Sequence, residues 1–268
     1  MKPTPTSSSA APAWALITGA SSGIGLELAR NLAAAGYHLV LAARGLDKLD
    51  ALAQELRARH AIQVHTLGVD LSALDAADTI AARLAQQGVR PYILVNNAGV
   101  GLFGRHADTA LEDEQRMINL NVITLTRLTK LLLPGLIAQR GKILNLASTA
   151  SFQPGPYMAV YYATKAYVLS YSEALAEELA DTGVTVTALC PGPTRSGFQD
   201  KADMHDSALV KGKKLPTAKE VADFGLRALL AGRRVAVHGW MNAVMAQSVR
   251  AMPRRLATNL VARMSRPT

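Results

Sequence analysis

The sequence predicts an α/β fold: a doubly wound parallel sheet in a single domain, with helices on both faces. Two observations carry this. From Trp14 onward, apolar runs of strand length alternate with longer stretches of helical periodicity, the signature of strand–helix–strand units. The first strand also leads straight into a glycine-rich turn and a helix start, Thr18-Gly19-Ala20-Ser21-Ser22-Gly23-Ile24-Gly25. No linker or long repeat interrupts the alternation, and 268 residues can bury a full core in one such domain.

Residues 1–12, rich in Pro, Ser and Thr, read as a flexible leader without the apolar core of a secretory signal. The domain then spans 13–238. Its strands fall at Trp14–Ile17, 38–43, 62–67, 92–96, 142–147, 184–190 and 234–237, and its helices at 23–35, 45–59, 73–87, 110–138, 158–182 and 217–231. Ligand chemistry is expected at the carboxyl ends of the strands. Residues 239–268 form a basic extension of helical pattern, interrupted at Pro253. It packs on the body or on a partner subunit, with a membrane surface as the alternative.

The glycine turn suits a pyrophosphate. Glycines let the backbone approach phosphate oxygens, and amides at a helix N-terminus point at negative charge. Gly19, Ser21, Ser22, Gly23, Ile24 and Gly25 are the contacts, spaced Gly-x-x-x-Gly-x-Gly rather than Gly-x-Gly-x-x-Gly. Arg44 ends the second strand, where an acidic residue would take the ribose hydroxyls of NAD. An arginine there favours a 2′-phosphate and hence NADP(H), with NAD(H) as the lesser alternative. Asp70 follows the third strand. Ser72-x-x-Asp75 reads as a capping box, leaving Asp70 to accept from an adenine amino group. Asn96, Asn97, Ala98 and Gly99 form a turn suited to lining a cofactor. Thr109-x-x-Glu112 reads as the cap of the next helix, which carries Asn119 and Asn121.

Ser148 ends the fifth strand, and Tyr161 and Lys165, four apart, share one face of the sixth helix. Tyr162 points roughly 100° away. A phenol near pKa 10 is sluggish at neutral pH, and a nearby ammonium is expected to lower it. Such a tyrosine can protonate a developing alkoxide while Ser148 holds the same oxygen.

Thr18-Gly-x-x-x-Gly-x-Gly25, Asp70, Asn96-Asn-Ala-Gly99, Asn121, Ser148, Tyr161-x-x-x-Lys165 and Pro191-Gly192 occur in an order that resembles the short-chain dehydrogenase/reductase family, in its compact single-domain, Rossmann-like branch. The resemblance covers about residues 14 to 200. It implies Tyr161 as general acid-base and Ser148 as the group orienting the carbonyl. It implies Lys165 as the residue that lowers the tyrosine pKa and binds the nicotinamide ribose, and Asn121 as the holder of a water leading to solvent. Pro191 and Gly192 would contact the nicotinamide amide, with Thr194 and Ser196 nearby. Two departures stand out. Ser196 occupies the place of the family's frequent threonine, with Thr194 early, and Ser22 stands where many NADP-preferring members carry a base.

The expected substrate is a small carbonyl or alcohol compound, hydrophobic because Phe152–Met158 is apolar and stiffened by prolines. Lys211, Lys213 and Lys214, in a lid-like segment from Arg195 to Leu215 with Phe198 and His205, could meet an anionic acyl carrier. The net charge of +9 is not gathered in one run, so no nucleic-acid partner is expected. Cys190, the single cysteine, reads as a buried thiol, and no metal site is expected. No apolar run reaches membrane-spanning length, and a cytoplasmic homodimer or homotetramer is the economical expectation. The rival readings are a membrane-associated lipid or 3-oxoacyl reductase and a non-catalytic NADP-binding regulator. Intact Ser148, Tyr161 and Lys165 argue against the last.

Overall fold

A computed structural model describes residues 13–197 and 215–265. The leader 1–12 and the proposed lid residues Phe198, His205, Lys211, Lys213 and Lys214 lie outside the described residues.

The strands are β1 (Trp14–Thr18), β2 (His38–Ala43), β3 (Val64–Gly68), β4 (Pro91–Asn96), β5 (Lys142–Leu146), β6 (Thr185–Cys190) and β7 (Val235–Val237). Among the described residues they form one sheet in the order β3-β2-β1-β4-β5-β6-β7. Every pairing is parallel. The order reverses between β1 and β4, so the chain diverges there at the carboxyl ends and leaves a crevice. The central strands are nearly continuous apolar runs, because helices cover both faces: all six residues of β2 are buried. Ile17 and its neighbours on one face pack against α1 (Gly23–Ala34), α2 (Leu46–Arg59) and α7 (Ala218–Leu230). Leu16 and Val40, on the other, meet α3 (Ala76–Gln86), α5 (Leu125–Gln139) and α6 (Ala159–Glu178).

Element boundaries follow the expected ones within a few residues, with four differences. The expected helix 110–138 is α4 (Leu111–Ile118) and α5 joined by a π-helical stretch, Asn119–Thr124. The side chains of that stretch are drawn away by tertiary partners: Thr124 donates to the Leu71 carbonyl at 2.8 Å and Asn121 is bonded to Val100. The Ser72–Asp75 capping box does not form. Asp70 takes the amide and hydroxyl of Ser72 instead, at 3.0 and 2.8 Å, and Asp75 caps α3 without a side-chain bond. Thr109 likewise does not cap α4; its hydroxyl donates to Glu114 at 2.7 Å. Finally, the α4–α5 segment, Leu111–Gln139, is long and apolar enough to cross a membrane by length and composition. Its Leu128 and Leu136 are fully buried against the sheet, while Ile123, Leu131 and Ile137 are exposed and Arg127 pairs with Asp78, so one face packs on the sheet and the other does not.

Candidate active site

The glycine turn sits at the switch point because β1 and β4 are stitched together there. Thr18 Oγ1 donates to the Val95 carbonyl at 3.2 Å and accepts from the amides of Asn97 and Ala98, each at 3.1 Å. Asn97 Nδ2 donates to the carbonyls of Thr18 at 2.9 Å and Gly19 at 3.2 Å. That amide leaves no room for side chains on the turn. A Cβ on Gly19, whose φ is +68°, would lie 2.8 Å from it, and a Cβ on Gly25 would strike both it and the Gly19 carbonyl. Asn97 is therefore part of the wall behind the cradle. α1 starts at Gly23, and the extended Ser22 at its N-cap makes no side-chain cap. Gly19, Ser21, Ser22, Gly23 and Ile24 line one large cavity of about 1420 Å³.

At one end of that cavity lie Arg44, Lys48 and Asp70. Burial would raise the Asp70 carboxyl, but hydrogen bonds from Ser72 and the charges of Arg44 and Arg116 outweigh it and hold the carboxyl below its ordinary range. Asp70 stays ionised there, with one oxygen committed to Ser72.

The other end holds Ser148, Tyr161 and Lys165. Ser148 is N-cap of a 3-10 turn, Thr149–Phe152; its Oγ accepts from the Ala150 amide at 3.1 Å and faces the Pro191 carbonyl at 3.4 Å. The turn is tied to α6 by Ser151, whose hydroxyl donates to the Lys165 carbonyl at 2.7 Å. Just before α6, Tyr157 adopts a left-handed backbone (φ 66°), a conformation costly for a non-glycine residue, where the 152–158 loop turns into the helix. Asn121 accepts from the Val100 amide at 3.0 Å and donates to the Val100 carbonyl at 2.9 Å and to Thr164 at 3.1 Å. Its side chain thus ties the loop after β4 to α6. A Cβ on Gly99 would sit 3.2 Å from Asn121 Oδ1 and 3.3 Å from Lys165 Nζ, so this glycine admits both.

The expected effect of Lys165 on Tyr161 is not found. Lys165 Nζ donates to the Leu146 carbonyl at 2.7 Å and lies 5.9 Å from the Tyr161 ring centroid. Burial lowers the lysine itself to about 8. Burial raises the Tyr161 phenol well above its ordinary value, with the Ser148 hydrogen bond pulling only partly back. The amine is held by the Leu146 carbonyl, and desolvation is the largest influence on the phenol.

Pro191, Gly192, Thr194 and Ser196 close over the crevice from the end of β6. Thr194 Oγ1 donates to the Gly192 carbonyl at 2.8 Å, and a Cβ on Gly23 would lie 2.9 Å from the Ser196 carbonyl. Cys190 is buried and its thiol is pushed up to about 12 by burial, an inert core residue. Among the described residues no group of three metal-ligating side chains occurs.

The walls that sequence reasoning missed come from α8 (Trp240–Ala251) and α9 (Arg254–Ser265), together with Leu102 and Met117. Asn242 of α8 packs against Gly192, where a Cβ would lie 2.7 Å from its Nδ2. Val261 of α9 packs with Met117, Met158, Tyr161 and Tyr162. Residues 239–265 thus pack on the body, and on its reactive end in particular. Their helical periodicity was visible, but not the face they would present to a cavity.

A cradle for a pyrophosphate at the switch point, joined by one cavity to a serine, a tyrosine and a lysine, defines an oxidoreductase of CH–OH groups. The chain belongs to the short-chain dehydrogenase family, whose model, "short chain dehydrogenase", matches residues 13–206. It is 39% identical to sulfoacetaldehyde reductase of Chromohalobacter salexigens, over 77% of this chain and 84% of that protein. It is 35% identical to the very-long-chain 3-oxoacyl-CoA reductase of Homo sapiens, over 66% of this chain and 58% of that longer protein. A short-chain dehydrogenase from Sphingobium yanoikuyae in complex with NADPH superposes with a TM-score of 0.80 at 33% identity, covering 89% of this chain and 94% of that one.

Proposed function

We propose that this protein is an NADP(H)-dependent reductase of bulky, hydrophobic carbonyl compounds, with Tyr161 as the proton donor. The observation that carries the reading is the buried Tyr161, with Ser148 and Lys165, at the wall of one cavity that also holds the glycine cradle and Arg44. The pieces fit a dinucleotide: Gly19, Ser21, Ser22, Gly23 and Ile24 line the cavity at the start of α1, and Arg44 and Lys48 line it where a 2′-phosphate needs cations. NADPH, when bound, supplies the hydride to the carbonyl carbon. The protein's part is to orient and to move a proton. Ser148 and Tyr161 bind the substrate oxygen, and Tyr161 gives up its phenolic proton as negative charge develops there. The phenol is in its acid form at neutral pH and so can donate in the reductive direction. Lys165, held by the Leu146 carbonyl, places a cation beside the cofactor ribose and the phenol. Asn121 acts as a positioning residue through Val100 and Thr164; a water held near it would carry the proton from solvent.

The substrate class follows from the walls. Leu102, Met117, Met158, Val249, Met252 and Val261 line the reactive end. The cations lining the cavity among the described residues are Arg44, Lys48, Arg116 and Lys165, and Arg116 acts electrostatically on Asp70. Among the described residues a small sulfonate would find only Lys165 beside Tyr161, whereas a large ketone or 3-oxoacyl chain would fill an adaptable methionine-rich space. Exposed Ile123, Leu131 and Tyr167 on the helical face support self-association, read by light scattering. The direct test is a panel of bulky ketones, 3-oxoacyl thioesters and short anionic aldehydes with NADPH or NADH, followed by loss of the dihydronicotinamide absorbance. Turnover confined to short anionic aldehydes, or to NADH, would overturn the reading.

A further inference from the structure

We infer that the outer face of α8 and α9 docks on an anionic lipid bilayer, so that the cavity opens onto the membrane from which an apolar carbonyl substrate is drawn. This rests on the substrate reading above for the second clause only; the docking face stands on its own geometry.

A helix packed on a globular body ordinarily turns its apolar stripe inward. These two leave large apolar side chains exposed. On α8 the residue that is buried is Ala246, while Trp240 is 77% exposed, Met241 and Val244 each 60%, and Met245 46%. On α9 the buried positions are Ala257, Val261 and Ser265, spaced by four, while Leu256 is 50% and the cavity-lining Leu260 40% exposed. Met241, Met245 and Leu260 thus rim the cavity, Val244 and Leu256 lie outside its lining, and together with Trp240 they leave an exposed apolar patch at the cavity mouth. Such a patch marks a partner.

Charge selects among partners. The chain has no Asp or Glu after Asp223, while Arg227, Arg233, Arg234, Arg250, Arg254, Arg255, Arg263 and Arg266 all follow it. Arg254, Arg255 and Arg263 are exposed on α9 beside Leu256 and Leu260. A second copy seated through the same face would bring these arginines against their own counterparts, since a two-fold interface pairs a patch with itself. An anionic bilayer neutralises them and accepts the apolar side chains at the same depth, with Trp240 in the interfacial position that tryptophan favours. The patch is also continuous with the cavity: Trp240, Met241, Met245 and Leu260 are both exposed and part of its lining. A substrate dissolved in the bilayer would reach Tyr161 along apolar surface.

The test is co-sedimentation of the full chain with phosphatidylcholine vesicles made with and without phosphatidylglycerol. Two variants are compared, Val244→Asp with Leu256→Asp, and Arg254→Gln with Arg255→Gln and Arg263→Gln. None of these side chains lines the cavity, so both variants keep the wild-type thermal midpoint and the rate on a water-soluble ketone. Binding to the phosphatidylglycerol vesicles, weakened by added salt, is expected for the wild type. The aspartate variant should lose it, and the glutamine variant should partition on the order of a hundredfold more weakly, at about fivefold per arginine near an anionic surface. Equal binding to neutral and anionic vesicles, or no binding to either, overturns the proposal. So does a concentration-dependent dimer abolished by the aspartates in place of vesicle binding, which would assign the face to a second copy. Vesicle binding is read without turnover, so a failed ketone panel and a failed docking face are separate results.

Discussion

Replacing Lys165 by methionine should leave the unliganded fold at least as stable at neutral pH while abolishing most turnover. Lys165 is 4% exposed, and its ammonium donates to the Leu146 carbonyl at 2.7 Å. Burial takes the amine from 10.5 to about 8, with the weak pull of Cys190 in the other direction. That fall corresponds to a penalty of roughly 3 kcal/mol on the charged folded form at neutral pH. Methionine avoids the penalty and gives up the bond to Leu146, a loss of about 1–3 kcal/mol if the carbonyl is left unpaired. The two terms nearly offset. The pH dependence separates them. The unfolded chain holds the proton more tightly than the folded one, so wild-type stability rises as pH climbs through the window from about 8 to 10.5. Between pH 7 and 9.5 the gain is about 2 kcal/mol. With an m-value of about 2–3 kcal/mol/M, the urea midpoint should move up by roughly 0.7–1 M in wild type relative to Lys165→Met. Urea unfolding of both proteins at the two pH values reads this directly. Midpoints that shift in parallel would refute the claim that the lysine is held charged at the expense of stability.

Arg44→Asp should reverse the cofactor preference, lowering NADPH affinity by roughly 10- to 100-fold, the worth of a charge-assisted contact, with little loss for NADH. Fluorescence titration with both dinucleotides checks it, and an unchanged ratio counts against Arg44. Gly25→Ala drives a methyl group into Asn97 and the Gly19 carbonyl, so a destabilisation of about 1–3 kcal/mol or more is expected with loss of dinucleotide binding, read by calorimetry. Val249→Trp narrows the reactive end from α8. It should reduce kcat/KM for a bulky ketone by roughly tenfold or more, the kinetic equivalent of an overpacking cost near 1–3 kcal/mol, and spare a two-carbon aldehyde. Equal effects on both substrates would place that wall elsewhere.

The sheet was legible because its strands are buried on both faces and so appear as unbroken apolar runs, such as His38–Ala43. The cradle was legible because glycines at a strand-to-helix turn need a steric reason, and Asn97 turns out to be that reason. What could not be read are choices made between local and distant partners. Asp70 takes Ser72 where a capping box looked available, and nothing in the spacing ranks the two. The π-helical stretch exists because Asn121 and Thr124 answer to Val100 and Leu71, far away in sequence. Tyr161 and Lys165 do share a helix face, but the Leu146 carbonyl that claims the amine comes from β5. The apolar pattern of residues 240–265 could equally have faced inward. Only the packing shows that Ala246, Ala257 and Val261 are buried while Met241, Met245 and Leu260 rim the cavity.

The most direct measurement is the NADPH-dependent reduction of a bulky ketone by Tyr161→Phe, taken together with NADPH binding to the same variant. Ring packing against Tyr162 and the cavity shape are kept; only the phenolic proton is removed. Turnover should fall by roughly 10²- to 10⁴-fold, the range for a lost general acid, with dinucleotide affinity unchanged. Retention of the wild-type rate with dinucleotide still bound would contradict the assignment of Tyr161 as proton donor.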